Sequence, residues 1–212
     1  MISAIIDHMQ SHDNALVLTR KDGAHKAFLT ARMFASTPRD MVVVLPDQKG
    51  AAKFMEDLLF FLPDQKDAVL FFPGYHILPF KSLSYHRQTS TQRLAVLSCL
   101  VEERPSPYLV VTYIDTLLQK LIPKKTILGC SELVMANEET DREALIESLE
   151  AGGYIRSSLV EDPGEYAVRG GILDIFVPGD KRPVRMEFFG DLVESIRSFS
   201  TYTLRGIREL SE

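Results

Sequence analysis

The chain has no tryptophan and only two cysteines, Cys99 and Cys130, among its 212 residues. These two thiols lack the spacing of a metal site and cannot form the dense disulfide framework of a small secreted protein, so we expect reduced structural cysteines. No apolar run approaches the roughly 20 residues that a membrane-spanning helix needs. The first ten residues, MISAIIDHMQ, lack the basic flank and apolar core of a signal peptide. These absences predict a cytoplasmic protein without membrane contacts.

An excess of positive charge is also missing. The formal net charge at pH 7 is -5, whereas proteins that bind duplex DNA through many phosphates usually carry a basic surface. Autonomous DNA binding is therefore disfavoured, although a local basic patch stays open as an alternative. The hydrophobic content of 45% and charged content of 25% are those of a globular protein. The length is sufficient for one large domain or two modest ones.

Short apolar strands alternate with helical patterns through the first part of the chain. The predicted strands are residues 15–19, 41–45, 68–72 and 108–112, and the predicted helices are residues 24–36, 49–62, 91–103 and 114–121. This alternation predicts an α/β fold, a parallel sheet with helices on both faces. We expect this domain to span residues 1–128.

The loop after the first predicted strand, TRKDGAHKA, resembles a phosphate loop that has lost its chemistry. A working loop has the pattern G-x-x-x-x-G-K-[ST], in which glycines wrap the phosphates and the hydroxyl binds magnesium. Here Arg20 replaces the first glycine, His25 replaces the second and Ala27 replaces the hydroxyl residue, so only Gly23 and Lys26 remain. No DExH-type acidic motif follows any strand. We predict a degenerate P-loop with no cofactor and no catalysis, in which Lys26 is solvated. Phosphate or nucleotide binding by Lys26 is the alternative.

The second predicted domain, residues 129–212, is a small α+β unit. A candidate strand at residues 132–136 precedes a helix whose capping box is Thr140 and Glu143, and whose apolar face contains Leu145, Ile146 and Leu149. Three further strands, at residues 172–177, 184–189 and 192–199, are joined by turn residues and predict an antiparallel meander. We expect the helix to cover one face of this meander.

Strand alternation divides residues 184–189 between two faces. Val184, Met186 and Phe188 are expected in the core, which leaves Arg185, Glu187 and Phe189 on the opposite face.

An aromatic residue beside an arginine is typical of interaction hot spots, so we predict a binding surface there. Arg169 precedes the glycine pair Gly170 and Gly171 and is expected at the rim of the same sheet. In the alternative, Arg185 and Glu187 pair with neighbouring strands and a local helix covers Phe189.

Four segments resemble the N-terminal UvrB-like module of the bacterial transcription-repair coupling factors (Mfd). They are FFPGYHILPFKSLSYH, VVTYIDTLLQKLIP, the long block GYIRSSLVEDPGEYAVRGGILDIFVPG and the block VRMEFFGD. The resemblance spans almost the whole chain and is most specific in the last two segments. It implies that the first domain is similar to the degenerate motor-like domain of UvrB and that the second recruits UvrA.

The family uses two arginines and an aromatic residue to contact UvrA, and within the motif these fall on Arg169, Arg185 and Phe189. The resemblance further implies a parent translocase that removes stalled RNA polymerase and brings in the nucleotide excision repair proteins. Its motor and polymerase-binding domains lie further along such chains. We therefore expect a non-catalytic fragment whose partner is UvrA, with RNA polymerase and DNA bound by other parts of the parent chain.

Overall fold

The structure, a computed structural model, describes residues 5, 17, 23–37, 39–75, 87–102 and 106–211. These residues divide into two compact units. Residues up to 75 and 102–121 belong to the first unit, and residues 87–101 and 122–211 belong to the second. The two units are not continuous segments of the chain, since the helix at residues 87–101 belongs to the second unit. They are therefore no test of a single boundary between residues 128 and 129, which stays a prediction.

Six α-helices and nine strands are present in the described residues. The helices are α1 (Ala24–Ser36), α2 (Gln48–Phe61), α3 (Arg87–Val101), α4 (Ile114–Leu117), α5 (Lys124–Gly129) and α6 (Arg142–Ala151), with a 3-10 helix at Pro63–Ala68. The strands are β1 (Met41–Leu45), β2 (Val69–Phe71), β3 (Leu109–Tyr113), β4 (Ile155–Arg156), β5 (Glu165–Arg169), β6 (Ile172–Ile175), β7 (Val184–Phe189), β8 (Leu192–Phe199) and β9 (Gly206–Leu210).

The first unit contains a parallel sheet with the strand order β1-β3-β2. Every second residue of β3, namely Leu109, Val111 and Tyr113, is buried in a core that also contains apolar residues of α1 and α2. This confirms the predicted mixture of helices and parallel strands. Both helices contribute to this one core, so helices on the second face of the sheet stay a prediction. Of the predicted strand at residues 15–19, the structure describes only Val17, so this strand also stays a prediction.

The second unit contains a six-stranded mixed sheet with the order β4-β5-β6-β7-β8-β9. The β4–β5 pair is parallel, and every later pair is antiparallel. The predicted three-stranded meander is therefore the middle of a larger sheet. Helix α3 also belongs to this unit, since the turn at Gly179 approaches Ala95 so closely that an added Cβ would lie 3.0 Å from the alanine Cβ.

Helix α6 covers one face of this sheet, as predicted. Leu145 is buried in one core with Leu173, Met186 and Phe188, and the other two residues of the predicted apolar face, Ile146 and Leu149, pack against it. The face of the sheet opposite α6 is called the outer face below. It carries Ala167, Arg169, Ile172, Asp174, Arg185, Glu187, Phe189, Ser195, Arg197 and Phe199.

Two local predictions near α6 are wrong. Residues 132–136 form no strand, and the chain contacts the sheet through hydrogen bonds such as that from the Ala136 amide to the Ser211 carbonyl at 2.9 Å. The cap of α6 is Asp141, whose carboxylate accepts a hydrogen bond from the Ala144 amide at 3.0 Å. Thr140 precedes this cap and donates its own amide to the Asp191 carbonyl at 2.7 Å.

Candidate protein-interaction face

Two cross-strand rows organise the outer face. Ala167, Asp174, Arg185 and Arg197 stand opposite one another from β5 to β8, and Arg169, Ile172, Glu187 and Ser195 form the next row. Directly opposed residues in an antiparallel sheet point to the same face. The strand register therefore places Arg185 and Glu187 on one side, as the alternation in the sequence predicts, and adds Arg169 to that side.

Arg185 is held by a carboxylate of the neighbouring strand. Its Nε and Nη2 donate to the two oxygens of Asp174 at 2.7 Å and 2.8 Å. The Asp174 side chain is 2% exposed, and the Arg185 side chain is 20% exposed. The guanidinium carbon lies 4.8 Å from the centre of the Phe199 ring, in a cation–π contact. The hydrogen bond to Asp174 is the main cause that raises the pKa of Arg185 above its ordinary value.

Glu187 is neutralised by its neighbours on β8. It accepts a hydrogen bond from the Ser195 hydroxyl at 2.9 Å and forms an ion pair with Arg197. The hydrogen bond from Ser195, followed by that from Arg197, lowers the pKa of Glu187 below its ordinary value. The predicted alternative is therefore correct for Arg185 and Glu187, which both pair with neighbouring strands.

Phe189 differs from both of these residues because no part of the described chain covers it. The side chain is 75% exposed, whereas the adjacent Phe188 is 8% exposed in the core. A register shift between Glu187 and Phe188 lets Phe188 stand opposite Val193, and Phe189 then pairs with Leu192 at the end of the strand. The interpretation that a local helix covers Phe189 is wrong.

Arg169 ends β5 at the turn that contains the glycine pair. Its side chain is exposed, and Nη2 donates to the Ser158 carbonyl. Gly170 has a φ of 57°, which L side chains rarely adopt. At Gly171 an added Cβ would lie 2.5 Å from the Phe188 carbonyl oxygen. This close approach fixes the β5–β6 turn against the end of β7.

The three predicted residues form a triangle on the outer face. The β5–β6 and β7–β8 turns lie at the same end of the sheet, because consecutive strands alternate in direction. Arg169 is two strand spacings, about 10 Å, from Glu187, and Phe189 lies two residues further along β7, so Arg169 and Phe189 are about 12 Å apart. Arg185 lies four residues from Phe189, about 13 Å along β7. We call the outer face around these three residues the RRF patch.

The structure also shows two residues that the sequence analysis missed. Asp174 and Phe199 are 1% exposed and bind Arg185 from two sides. A signal for Asp174 exists in the sequence, since a carboxylate within the apolar segment ILDIF is buried and needs a cation on an adjacent strand. Its pairing with Arg185 required the strand register.

Lys26 lies in the first turn of α1 and is exposed. The rest of the predicted phosphate loop, residues 19–22, lies outside the described residues. In the part of the chain that the structure describes, no three side chains of His, Cys, Asp or Glu come together as a metal site would require. No helix in those residues combines the length and hydropathy needed to cross a bilayer.

Residues 134–212 match the UvrB interaction domain family. The transcription-repair-coupling factor of Myxococcus xanthus is 34% identical over 194 residues, which cover 90% of this chain and 16% of that protein. The corresponding protein of Haemophilus influenzae is 34% identical over 80% of this chain and 14% of its own length. The Escherichia coli protein is 29% identical over 89% of this chain and 16% of its own length. The chain therefore spans a small part of the curated relatives that it matches.

Proposed function

Because the chain belongs to the family of transcription-repair-coupling factors, we propose that its second unit recruits UvrA to sites of stalled transcription. The unit acts by binding and carries no catalysis of its own. Contacts to RNA polymerase and DNA are assigned in this proposal to other parts of the longer relatives. The role of the chain is thus to link a stalled polymerase to nucleotide excision repair.

The observation that carries this proposal is the exposed Phe189 on the same sheet face as two arginines. A phenylalanine that is 75% exposed at the end of a rigid strand presents a large apolar surface at little conformational cost. Arginine and aromatic residues dominate the binding energy of many protein interfaces. The acidic residues Asp174 and Glu187 of this face are already paired with Arg185 and Arg197, whereas the Arg169 side chain is exposed at the rim of the patch.

A nucleotide-binding function for Lys26 has no comparable support. Lys26 is an exposed residue of a helix whose N-cap, Gly23, has no side chain that could hold a hydrogen bond. We therefore propose no second function.

The proposal is tested by titration calorimetry of purified bacterial UvrA with the chain. We expect Phe189→Ala to weaken binding about 30-fold, equivalent to about 2 kcal/mol, since it removes the aromatic anchor. Arg169→Ala is expected to weaken binding about tenfold through the loss of an exposed charge at the rim.

The matched control is Tyr202→Ala. Tyr202 is 97% exposed in the β8–β9 turn, at the opposite end of the sheet from Phe189. Its loss should change the affinity by less than about threefold, the range of neutral interface positions. An unchanged affinity for both Phe189→Ala and Arg169→Ala would remove the RRF patch from the interface.

A further inference from the structure

Asp174 occupies a buried position, where a charged carboxylate loses its favourable hydration free energy. It stands in β6 between apolar residues, and its side chain is 2% exposed. Burial of a carboxylate is tolerated when a cation and good hydrogen-bond geometry compensate for the lost hydration. Both carboxylate oxygens are used by Arg185, at 2.7 Å and 2.8 Å. The pair is therefore bidentate, the geometry that best restricts a guanidinium.

Phe199 restricts the same guanidinium from a different direction. Its ring is 1% exposed, and its centre lies 4.8 Å from the guanidinium carbon of Arg185. The bidentate pair with Asp174 fixes the plane of the guanidinium, and the contact with the Phe199 ring further limits the movement of that group. An arginine side chain otherwise has many rotamers, whose loss costs binding free energy when a partner orders them.

We propose that Asp174 is a positioning residue of the interaction face, which holds Arg185 in its binding orientation before UvrA arrives. This inference rests on the proposed UvrA-recruiting function. The two hydrogen bonds to Asp174 use Nε and Nη2, and a fifth of the Arg185 side chain is exposed, which is the part that a partner can reach. Asp174 itself is too buried to touch UvrA. Its effect on docking must therefore pass through Arg185.

A structural role alone would make a different pattern of affinities. If Asp174 only stabilised the sheet, its substitution would lower the folded fraction and would leave the affinity of the folded chain unchanged. If it positions Arg185, the substitution weakens UvrA binding by the folded chain. This loss of affinity should disappear in a chain from which Arg185 has already been removed. A double-mutant cycle therefore distinguishes a positioning role of Asp174 from a purely structural one.

The experiment compares UvrA affinity for the intact chain, Asp174→Asn, Arg185→Ala and the double variant. Asp174→Asn keeps the shape of the side chain and removes its charge and one acceptor. We expect it to weaken binding about tenfold in the native background and less than about twofold in the Arg185→Ala background. Arg185→Gln, which keeps a donor toward Asp174, replaces Arg185→Ala if that variant does not fold.

Tyr166→Phe is the matched control, because it removes a hydrogen bond to Glu150 from a fully buried residue on the α6 side of the same sheet. It should leave UvrA affinity within about twofold. A tenfold loss for Asp174→Asn in both backgrounds would overturn the positioning role, as would no loss in the native background.

Hydrogen exchange at the Arg185 Nε–H, measured by NMR, provides a readout without UvrA. We expect exchange about tenfold slower than at the exposed Arg208, and Asp174→Asn should remove this difference. Equal Nε–H exchange rates at Arg185 and Arg208 in the native chain would show that Asp174 does not restrain Arg185. A protected Arg185 in a chain that fails to bind UvrA would instead overturn the proposed function.

Discussion

Phe188 and Phe189 are chemically identical neighbours with opposite environments. Phe188 is 8% exposed in the core beneath α6, and Phe189 is 75% exposed on the outer face. A buried phenylalanine stabilises the fold through apolar burial and close packing, whereas an exposed one contributes little until a partner covers it. The two positions therefore separate the requirements of folding from those of the proposed binding within a single strand.

Alanine at each of these positions should have a distinct effect on stability. We expect Phe188→Ala to lower the free energy of unfolding of the second unit by about 3–5 kcal/mol, because it leaves a cavity in the core. Phe189→Ala should change it by less than about 0.5 kcal/mol. Urea unfolding followed by circular dichroism measures both values. A large loss for Phe189→Ala would mean that its ring is covered within the chain.

The β5–β6 hairpin determines the position of Arg169. Its two glycines have different physical roles, because Gly170 needs a positive φ and Gly171 approaches the Phe188 carbonyl. The Arg142 guanidinium of α6 also donates to the Gly170 carbonyl at 2.7 Å, so the turn is tied to the helix that covers the other face. The hairpin thus connects the exposed rim to the core.

Substitution of the two hairpin glycines should separate these roles. Gly171→Ala is expected to destabilise the second unit by about 2 kcal/mol or more and to weaken UvrA binding, since the new Cβ forces the turn away from β7. Gly170→Asn should cost less than about 1 kcal/mol, because asparagine tolerates a positive φ and the space around this position is open. Chemical denaturation of both variants gives the comparison, and a smaller cost at Gly171 than at Gly170 would contradict it.

The loop after α6 introduces a dependence of stability on alkaline pH. Burial, followed by the charge of Asp180, raises the pKa of Tyr154 from 10.0 to about 12. Below pH 10 the folded and unfolded chains both keep this proton, so the contribution of Tyr154 is complete. Between pH 10 and about 12 the unfolded chain loses the proton first, so stability falls as the pH rises.

We expect the free energy of unfolding to decline in this window by at most about 1.4 kcal/mol per pH unit from this one group. Tyr154→Phe should make the decline less steep, because it removes the titrating hydroxyl. Urea unfolding at half-unit steps from pH 9 to 12 tests this. An identical slope for both proteins would show that other groups cause the decline.

Each of the two units has its own main hydrophobic core in the described residues, and the second unit has a further small cluster of Val160, Ala167 and Phe176. Leu58 of α2 is fully buried in the first, and Leu173 of β6 is fully buried in the second. The proposed interaction face belongs entirely to the second unit. We therefore do not expect residues of the first unit to contact UvrA.

Calorimetric melting should show which core each residue supports. We expect Leu58→Ala and Leu173→Ala to lower the stability of their own units by about 2–5 kcal/mol and to shift different parts of the melting profile. At temperatures where both units are folded, Leu58→Ala should leave UvrA affinity within about twofold. Equal effects of both substitutions on one single transition would show that the chain unfolds as one unit.

Local pattern was sufficient for the elements whose ends are marked by nearby residues. The sequence predicts residues 24–36, 41–45, 184–189 and 192–199 with the bounds that the structure shows for α1, β1, β7 and β8. Helical spacing and strict alternation are short-range properties, and glycine and proline stop them. Alternation also predicted a shared face for Arg185, Glu187 and Phe189, and the glycine pair predicted Arg169 at the rim of the same sheet.

Long-range pairing decided the rest. Thr140 and Asp141 are both good caps, and the hydrogen bond of the Thr140 amide to Asp191 determines which one starts α6. The pairing of Asp174 with Arg185 joins residues that are 11 apart in the sequence, and the exposure of Phe189 follows from the register shift between β7 and β8. Alternation within one strand sets the face to which a side chain points. The register with the neighbouring strands determines which groups that side chain contacts. The chain sequence therefore determined which residues face outward, and the packing of the sheet decided which of them are already satisfied and which remain free for a partner.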